Sequence, residues 1–185
     1  MSAAPAARAS APTRTLVLGG TRSGKSRHAE DLLPADEPVR YLATARHLPD
    51  DPEWSARIAA HRARRPAGWT TLEDADAAAV VRAGGGPLLV DDLATWLTGE
   101  LDDADAWEAT EVPAAIDAAV DELVAAVRVA PDRLVLVSAE VGLGVVPATR
   151  AGRLFRDELG ALNAALAAVC DEVVLLVAGL PLRLK

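Results

Sequence analysis

Twelve consecutive residues constrain this chain more than any others: Thr15-Leu16-Val17-Leu18-Gly19-Gly20-Thr21-Arg22-Ser23-Gly24-Lys25-Ser26. An apolar run enters a glycine turn, and the turn enters Gly-Lys-Ser and then Arg27-His28-Ala29-Glu30. The spacing predicts a buried strand over Leu16–Leu18 and a helix over Lys25–Leu33. Between them, Gly19 to Ser26 fills every fixed position of the phosphate-loop pattern G-x-x-x-x-G-K-S/T. Glycines there let the backbone curl until several N–H groups converge on one anion, and the positive end of the following helix points at the same place. Lys25 is spaced to reach the β- and γ-phosphates of a nucleoside triphosphate, and the Ser26 hydroxyl to ligate Mg2+. Gly19, Gly20, Thr21, Arg22, Ser23 and Gly24 complete the candidate phosphate cradle.

Such a loop needs a sheet to stand on, and the rest of the chain supplies one. Val39–Thr44, Trp69–Leu72, Pro87–Asp92, Leu134–Ser138 and Val173–Ala178 read as further strands. Helices are expected from Pro49 to about Arg65, where Pro66-Ala67-Gly68 stops the run, and over Asp74–Arg82, Leu93–Leu101, Val112–Val129 and Thr149–Val169. An acidic loop is expected at Asp102–Asp105, and a short last segment, Leu180–Leu184, after the turn at Gly179. Strands alternating with helices predict an α/β fold of the phosphate-loop NTPase type, three layers deep. Its mostly parallel central sheet would be covered by helices on both faces.

Ligands of such sheets bind outside the carboxyl ends of the strands, where Gly20, Thr44, Asp91 and Glu140 would gather. An apolar strand ending in an acid is the usual second half of a phosphate-loop site. Asp91 is therefore the candidate metal-side carboxylate beside Ser26. Asp92 is the second choice, because alternation along a strand sends it to the other face.

Composition narrows the partners. At 185 residues, 51% apolar and 25% charged, the chain suits one folded domain, expected over 14–185 behind a flexible tail of Ala, Ser, Pro and Arg at 1–13. A net charge of −8 argues against a broad nucleic-acid surface. No apolar run is long enough to span a membrane, and the lone Cys170 excludes an internal disulfide, so a cytoplasmic protein is expected. Cys170 itself reads as a small buried residue.

Several stretches together resemble one family: Gly19 to Glu30; the helix carrying Arg57-Ile58, His61 and Arg65-Pro66; Glu140-Val141-Gly142-Leu143-Gly144-Val145-Val146-Pro147; Phe155-Arg156-Asp157 with Leu162-Asn163; and Val177-Ala178-Gly179-Leu180-Pro181-Leu182. They look like the bifunctional adenosylcobinamide kinase / adenosylcobinamide-phosphate guanylyltransferase of cobalamin biosynthesis, over nearly all of Thr15 to Lys185. The resemblance implies two reactions. A nucleoside triphosphate, ATP or GTP, phosphorylates the aminopropanol hydroxyl of adenosylcobinamide. GTP then passes GMP through a histidine to adenosylcobinamide phosphate. His61 matches the family's nucleophile, and Thr44, Ala45, Arg46, Arg62, Ala63, Arg64, Arg65 and Glu73 match positions lining the nucleotide. A homo-oligomer, a trimer, is implied as well.

The chain departs from the family pattern at Asp92, where Cys or a small residue often follows the strand-end acid, and at Ala139, where Asn often precedes Glu-Val-Gly. From spacing alone His61 is a partly buried helix histidine, three residues beyond Ile58, and the arginines around it form a solvated helix face. His28 reads as helix packing, His47 as surface, and Trp96 and Trp107 as core or interface residues. Two other functions fit the phosphate loop without the resemblance: a small-molecule kinase with no covalent histidine, and a non-catalytic nucleotide-dependent switch.

Overall fold

The first strand, β1 (Arg14–Gly19), is apolar on both faces because it lies inside a sheet covered on both sides. It pairs in parallel with two neighbours, β5 (Leu134–Ala139) and β6 (Glu172–Val177). A computed structural model of the protein describes residues 13–46, 62 and 65–185. In it β2 (Arg40–Ala43), β3 (Thr70–Leu72), β4 (Leu88–Asp91) and a last strand, β7 (Leu180–Arg183), complete one seven-stranded sheet of order β3-β2-β4-β5-β1-β6-β7. All pairings are parallel except β6 with β7.

Side-chain alternation splits the core in two. Leu16 and Leu18 of β1, with Leu134 and Leu136 of β5, face a layer made by α2 (Ala77–Ala83), α3 (Leu93–Asp103), α4 (Ala114–Arg128) and α5 (Arg150–Val169). Val17, Val135 and Val137 face the other way, onto Ala29 of α1 (Lys25–Asp31) and onto Leu33. Leu16, Leu97, Leu123, Leu136, Leu159 and Leu162 are fully buried. Each such side chain contributes about 1.5–3 kcal/mol over its exposed state. The three-layer α/β architecture expected from the sequence is the one observed.

Boundaries moved where capping outweighed periodicity. α2 starts at Ala77, because the Asp76 carboxylate accepts from Ala79 N at 2.8 Å. Asp102 and Asp103, expected in an acidic loop, are the last turn of α3. Thr13, expected in the tail, already touches the sheet, its carbonyl accepting from Leu134 N at 3.0 Å. The final segment is an antiparallel edge strand. Cys170 is 2% exposed, and burial pushes its thiol up to about 12. Trp96 and Trp107 pack half-buried against the larger core. The helix expected over Pro49–Arg65 lies outside the described residues apart from Arg62 and Arg65.

The fold also decides where a ligand goes. From β1 the chain leaves through α1 on one face toward β2, whereas β5 returns to β6 through α5 on the other face. Connections diverge above the carboxyl end of β1, which is where open parallel sheets bind ligands.

Candidate active site

The phosphate loop occupies that divergence. Gly19 closes β1, Lys25 opens α1, and Gly20–Gly24 make the turn between them. Gly24 has φ +91°, a conformation that side chains rarely adopt, and a Cβ on Gly19 would meet Ser23 Oγ and the Leu176 carbonyl. Ser23 N donates to Gly20 O at 3.2 Å, and Gly179 N donates to Ser23 O at 3.1 Å, so the β6–β7 turn braces the loop from outside. Thr21 and Arg22 are exposed on its tip, and Lys25 and Ser26 stand half-buried at the first turn of α1.

Ser26 Oγ donates to Asp91 Oδ1 at 3.2 Å. The second carboxylate oxygen, Oδ2, accepts from the Tyr41 hydroxyl at 2.7 Å. Tyr41 is 2% exposed; burial foremost, and then the neighbouring Asp91 charge, raises its pKa well above the usual phenol range. The hydroxyl is the donor to the Asp91 carboxylate. Arg65 lies across the Tyr41 ring, its guanidinium carbon 3.2 Å from the ring centroid, and its Nη1 donates to Thr71 Oγ1 at 2.9 Å. A continuous path thus runs from the phosphate loop through Ser26, Asp91 and Tyr41 to Arg65.

Asp92 does something else. Its Oδ1 accepts from Thr95 N at 2.9 Å and caps α3. Thr44 is tied to the same corner, its hydroxyl donating to Asp92 O at 2.6 Å and lying 2.6 Å from Thr95 Oγ1. Arg46 turns toward α3, where Asp103 and the Gly99 carbonyl hold it at 2.5–3.0 Å. Thr44, Ala45 and Arg46 line a cavity of about 620 Å3 together with Trp96 and Glu100. Burial, and then the Asp103 charge, raises the Glu100 pKa. Arg62 forms an ion pair with Glu73. Glu140 braces the loop after β5: its N–H donates to Gly19 O at 3.1 Å and its Oε1 accepts from Gly142 N at 2.7 Å. His61, Ala63, Arg64 and His47 lie outside the described residues.

The oxygens beside the phosphate loop suit Mg2+. A hydroxyl and a carboxylate are hard donors, and Mg2+ keeps most of its shell as water and phosphate oxygens, so two protein oxygens suffice. Among the described residues no group of three or more His, Cys, Asp or Glu is arranged to hold a metal. Sequence reasoning missed Tyr41. Its signal was thin: it is the chain's single tyrosine, placed on a strand beside the acid-bearing one.

A phosphate loop at the switch point of a parallel sheet, faced by a strand-end carboxylate one strand beyond the nearest neighbour, defines a phosphate-loop nucleotide-binding protein. The family model described as cobinamide kinase / cobinamide phosphate guanyltransferase matches residues 15–184, and the chain belongs to that family. It is an enzyme of adenosylcobalamin biosynthesis with both named transferase activities.

The bifunctional adenosylcobalamin biosynthesis protein CobP of Pseudomonas aeruginosa is 46% identical over 177 residues, covering 93% of this chain and 97% of the relative. The CobU proteins of Escherichia coli and Salmonella typhimurium are each 40% identical over 180 residues, covering 92% of this chain and 98% of theirs. A looser likeness, with TM-score 0.43 and 15% identity, relates 91% of the chain to 52% of the P4 protein from bacteriophage phi6 in complex with ADP. No helix among the described residues is long and apolar enough to cross a membrane.

Proposed function

We propose that both reactions use the one phosphate loop, and that the second proceeds through a guanylyl group on His61. In the first, the aminopropanol hydroxyl of adenosylcobinamide attacks the γ-phosphorus of ATP or GTP, and the nucleoside diphosphate leaves. In the second, an imidazole nitrogen of His61 attacks the α-phosphorus of GTP and expels pyrophosphate. A phosphate oxygen of adenosylcobinamide phosphate then attacks the same phosphorus, releasing the histidine and giving adenosyl-GDP-cobinamide. Imidazole suits this work because it is a neutral nucleophile near pH 7.

The observation that carries the reading is the path from Ser26 through Asp91 and Tyr41 to Arg65. It ties Arg65, four residues after His61 in the sequence, to the carboxylate of the phosphate site. Arg62 and Arg65 follow His61 closely in the sequence, and their positive charge would favour the neutral imidazole and stabilise the departing pyrophosphate. Ser26 and Asp91 would hold Mg2+, which supplies charge neutralisation at the triphosphate. Lys25 reaches the β- and γ-phosphates, and the loop from Gly19 to Gly24 cradles them. The cavity behind Thr44, Ala45 and Arg46 has room for the nucleoside half. Glu73, paired with Arg62, steadies the same wall. The homo-oligomer would form through the apolar residues exposed at the β6–β7 edge, Val177, Leu180 and Leu182, and sedimentation equilibrium tests it.

The test is incubation with Mg2+ and GTP labelled at the α-phosphate, for the unmodified protein and His61→Ala. An acid-labile, alkali-stable protein label that depends on His61, with kinase activity kept in the variant, is the expected result. Label persisting in the variant moves the nucleophile elsewhere. No label in either protein, with phosphorylation intact, leaves a simple kinase and refutes the covalent step.

A further inference from the structure

Arg156 of α5 carries a buried Nη1 atom with no hydrogen-bond partner among the described residues. Burying a guanidinium donor without an acceptor is costly, and its neighbours on the helix avoid it. Arg150 Nη1 donates to Trp107 O at 2.8 Å, and Arg153 Nη1 to Ala148 O at 2.8 Å. Among the three arginines of this helix stretch, Arg156 is the exception.

Asn163, seven residues later, donates from Nδ2 to Ala139 O at 3.0 Å. Ala139 ends β5 and pairs with Gly19, the first residue of the phosphate loop. Seven residues are nearly two helical turns, so Arg156 shares Asn163's face to within about 20°. It stands about 10 Å farther out, beyond the carboxyl edge of the sheet. One turn earlier on that side, Gly152 lies so close to Pro147 that a Cβ would come within 2.7 Å of the proline ring. Along α5, Arg156 therefore stands between the turn that meets Pro147 and the turn that meets Ala139, the two ends of the Glu140–Val146 loop. That loop begins hydrogen-bonded to Gly19. Its own carboxylate, Glu140, accepts from Gly142 N.

We propose that Arg156 is a phosphoryl-binding residue, offering its guanidinium fork to a phosphate group seated beside the phosphate loop. A fork of parallel N–H donors matches two phosphate oxygens at once. The phosphate has two possible sources, the nucleotide's own chain or the phosphorylated corrinoid acceptor; the identity of both rests on the function proposed above. Arg156 belongs to none of the loop, acid or histidine positions already described.

The test uses the full-length protein with Arg156→Gln and Arg156→Lys. It measures the ligand-free melting temperature and, by equilibrium titration, the affinities for GTP, guanosine, cobinamide phosphate and cobinamide. An unpartnered buried donor adds no stability, so the ligand-free Gln variant should melt within about 2 °C of the parent. Affinity for one phosphorylated ligand should fall about 10- to 100-fold, the value of a charge-assisted hydrogen bond, with its unphosphorylated counterpart unchanged and Lys restoring part of the loss. A loss confined to GTP assigns the nucleotide; a loss confined to cobinamide phosphate assigns the acceptor. Unchanged affinity for both phosphorylated ligands overturns the proposal, as does a ligand-free variant that melts more than about 5 °C below the parent. These titrations need no turnover, so they read Arg156 even if no guanylyl-histidine forms.

Discussion

Tyr41→Phe isolates one atom of the site. The substitution keeps the ring that packs 6.5 Å from Trp69 and lies under Arg65, and deletes only the hydroxyl that donates to Asp91 Oδ2 at 2.7 Å. A hydrogen bond to a charged group contributes about 1.5–3 kcal/mol. Asp91 is only half-buried, so water can replace part of what is lost. The expected net cost is about 1–2 kcal/mol, or roughly 3–6 °C in melting temperature for a domain of this size. Orientation of the carboxylate should suffer more than stability. With Oδ2 released, Asp91 can rotate away from Ser26, and the Mg2+ concentration giving half-maximal phosphorylation should rise about three- to tenfold. Differential scanning fluorimetry and a Mg2+ titration of the kinase step measure the two effects. A melting temperature within 1 °C of the parent, together with an unchanged Mg2+ dependence, would refute the idea that Tyr41 holds the acid in place.

The adjacent acids should separate cleanly. Asp91→Asn should lower kcat of phosphorylation by roughly 100-fold or more, and should lower the melting temperature about as much as Tyr41→Phe does, because the Tyr41 hydroxyl loses its charged acceptor. Asp92→Ala should cost about 1 kcal/mol of stability through loss of the α3 cap, with kcat changed less than threefold. A titration of stability against pH should show one acid-side step from the Arg14–Asp171 pair, where Arg14 holds the Asp171 carboxyl down at about 2 against an ordinary 3.8. A depressed carboxylate contributes stability that is complete above about pH 4 and lost as pH falls toward 2. Because the Asp171 side chain is 41% exposed, solvent screening keeps that contribution under about 1 kcal/mol, and Arg14→Ala should flatten the step.

What could be read from the sequence was local, and what could not was partnership between distant segments. β1, its loop and α1 were legible because strand, glycines and helix cap fall within one short stretch and every position is dictated by backbone geometry or phosphate chemistry. α5 was legible to within one residue, since Thr149, read as its start, is the cap that accepts from Gly152 N. The β7 strand hid behind Pro181, which argues against a strand interior but is tolerated at a sheet edge, where no outer neighbour requires its missing N–H. Asp92 was masked by rank: the acid-after-strand pattern drew attention to both acids, although Asp92-Leu93-Ala94-Thr95 carries its own cap signal.

Tyr41 had no local signal, and Arg156, although it stands in the family-like stretch Phe155-Arg156-Asp157, had none that pointed to a phosphate. Tyr41 reaches Asp91 only because β4 inserts between β2 and β5, an order that side-chain alternation along any single strand does not encode. Arg156 is unusual only in what surrounds it, since the same residue on an exposed helix face would be an ordinary solvated cation. Residues whose chemistry comes from their own type and spacing are therefore recoverable from sequence. Residues whose chemistry comes from who stands across from them require the sheet order first, as Tyr41 does in joining Asp91 to Arg65.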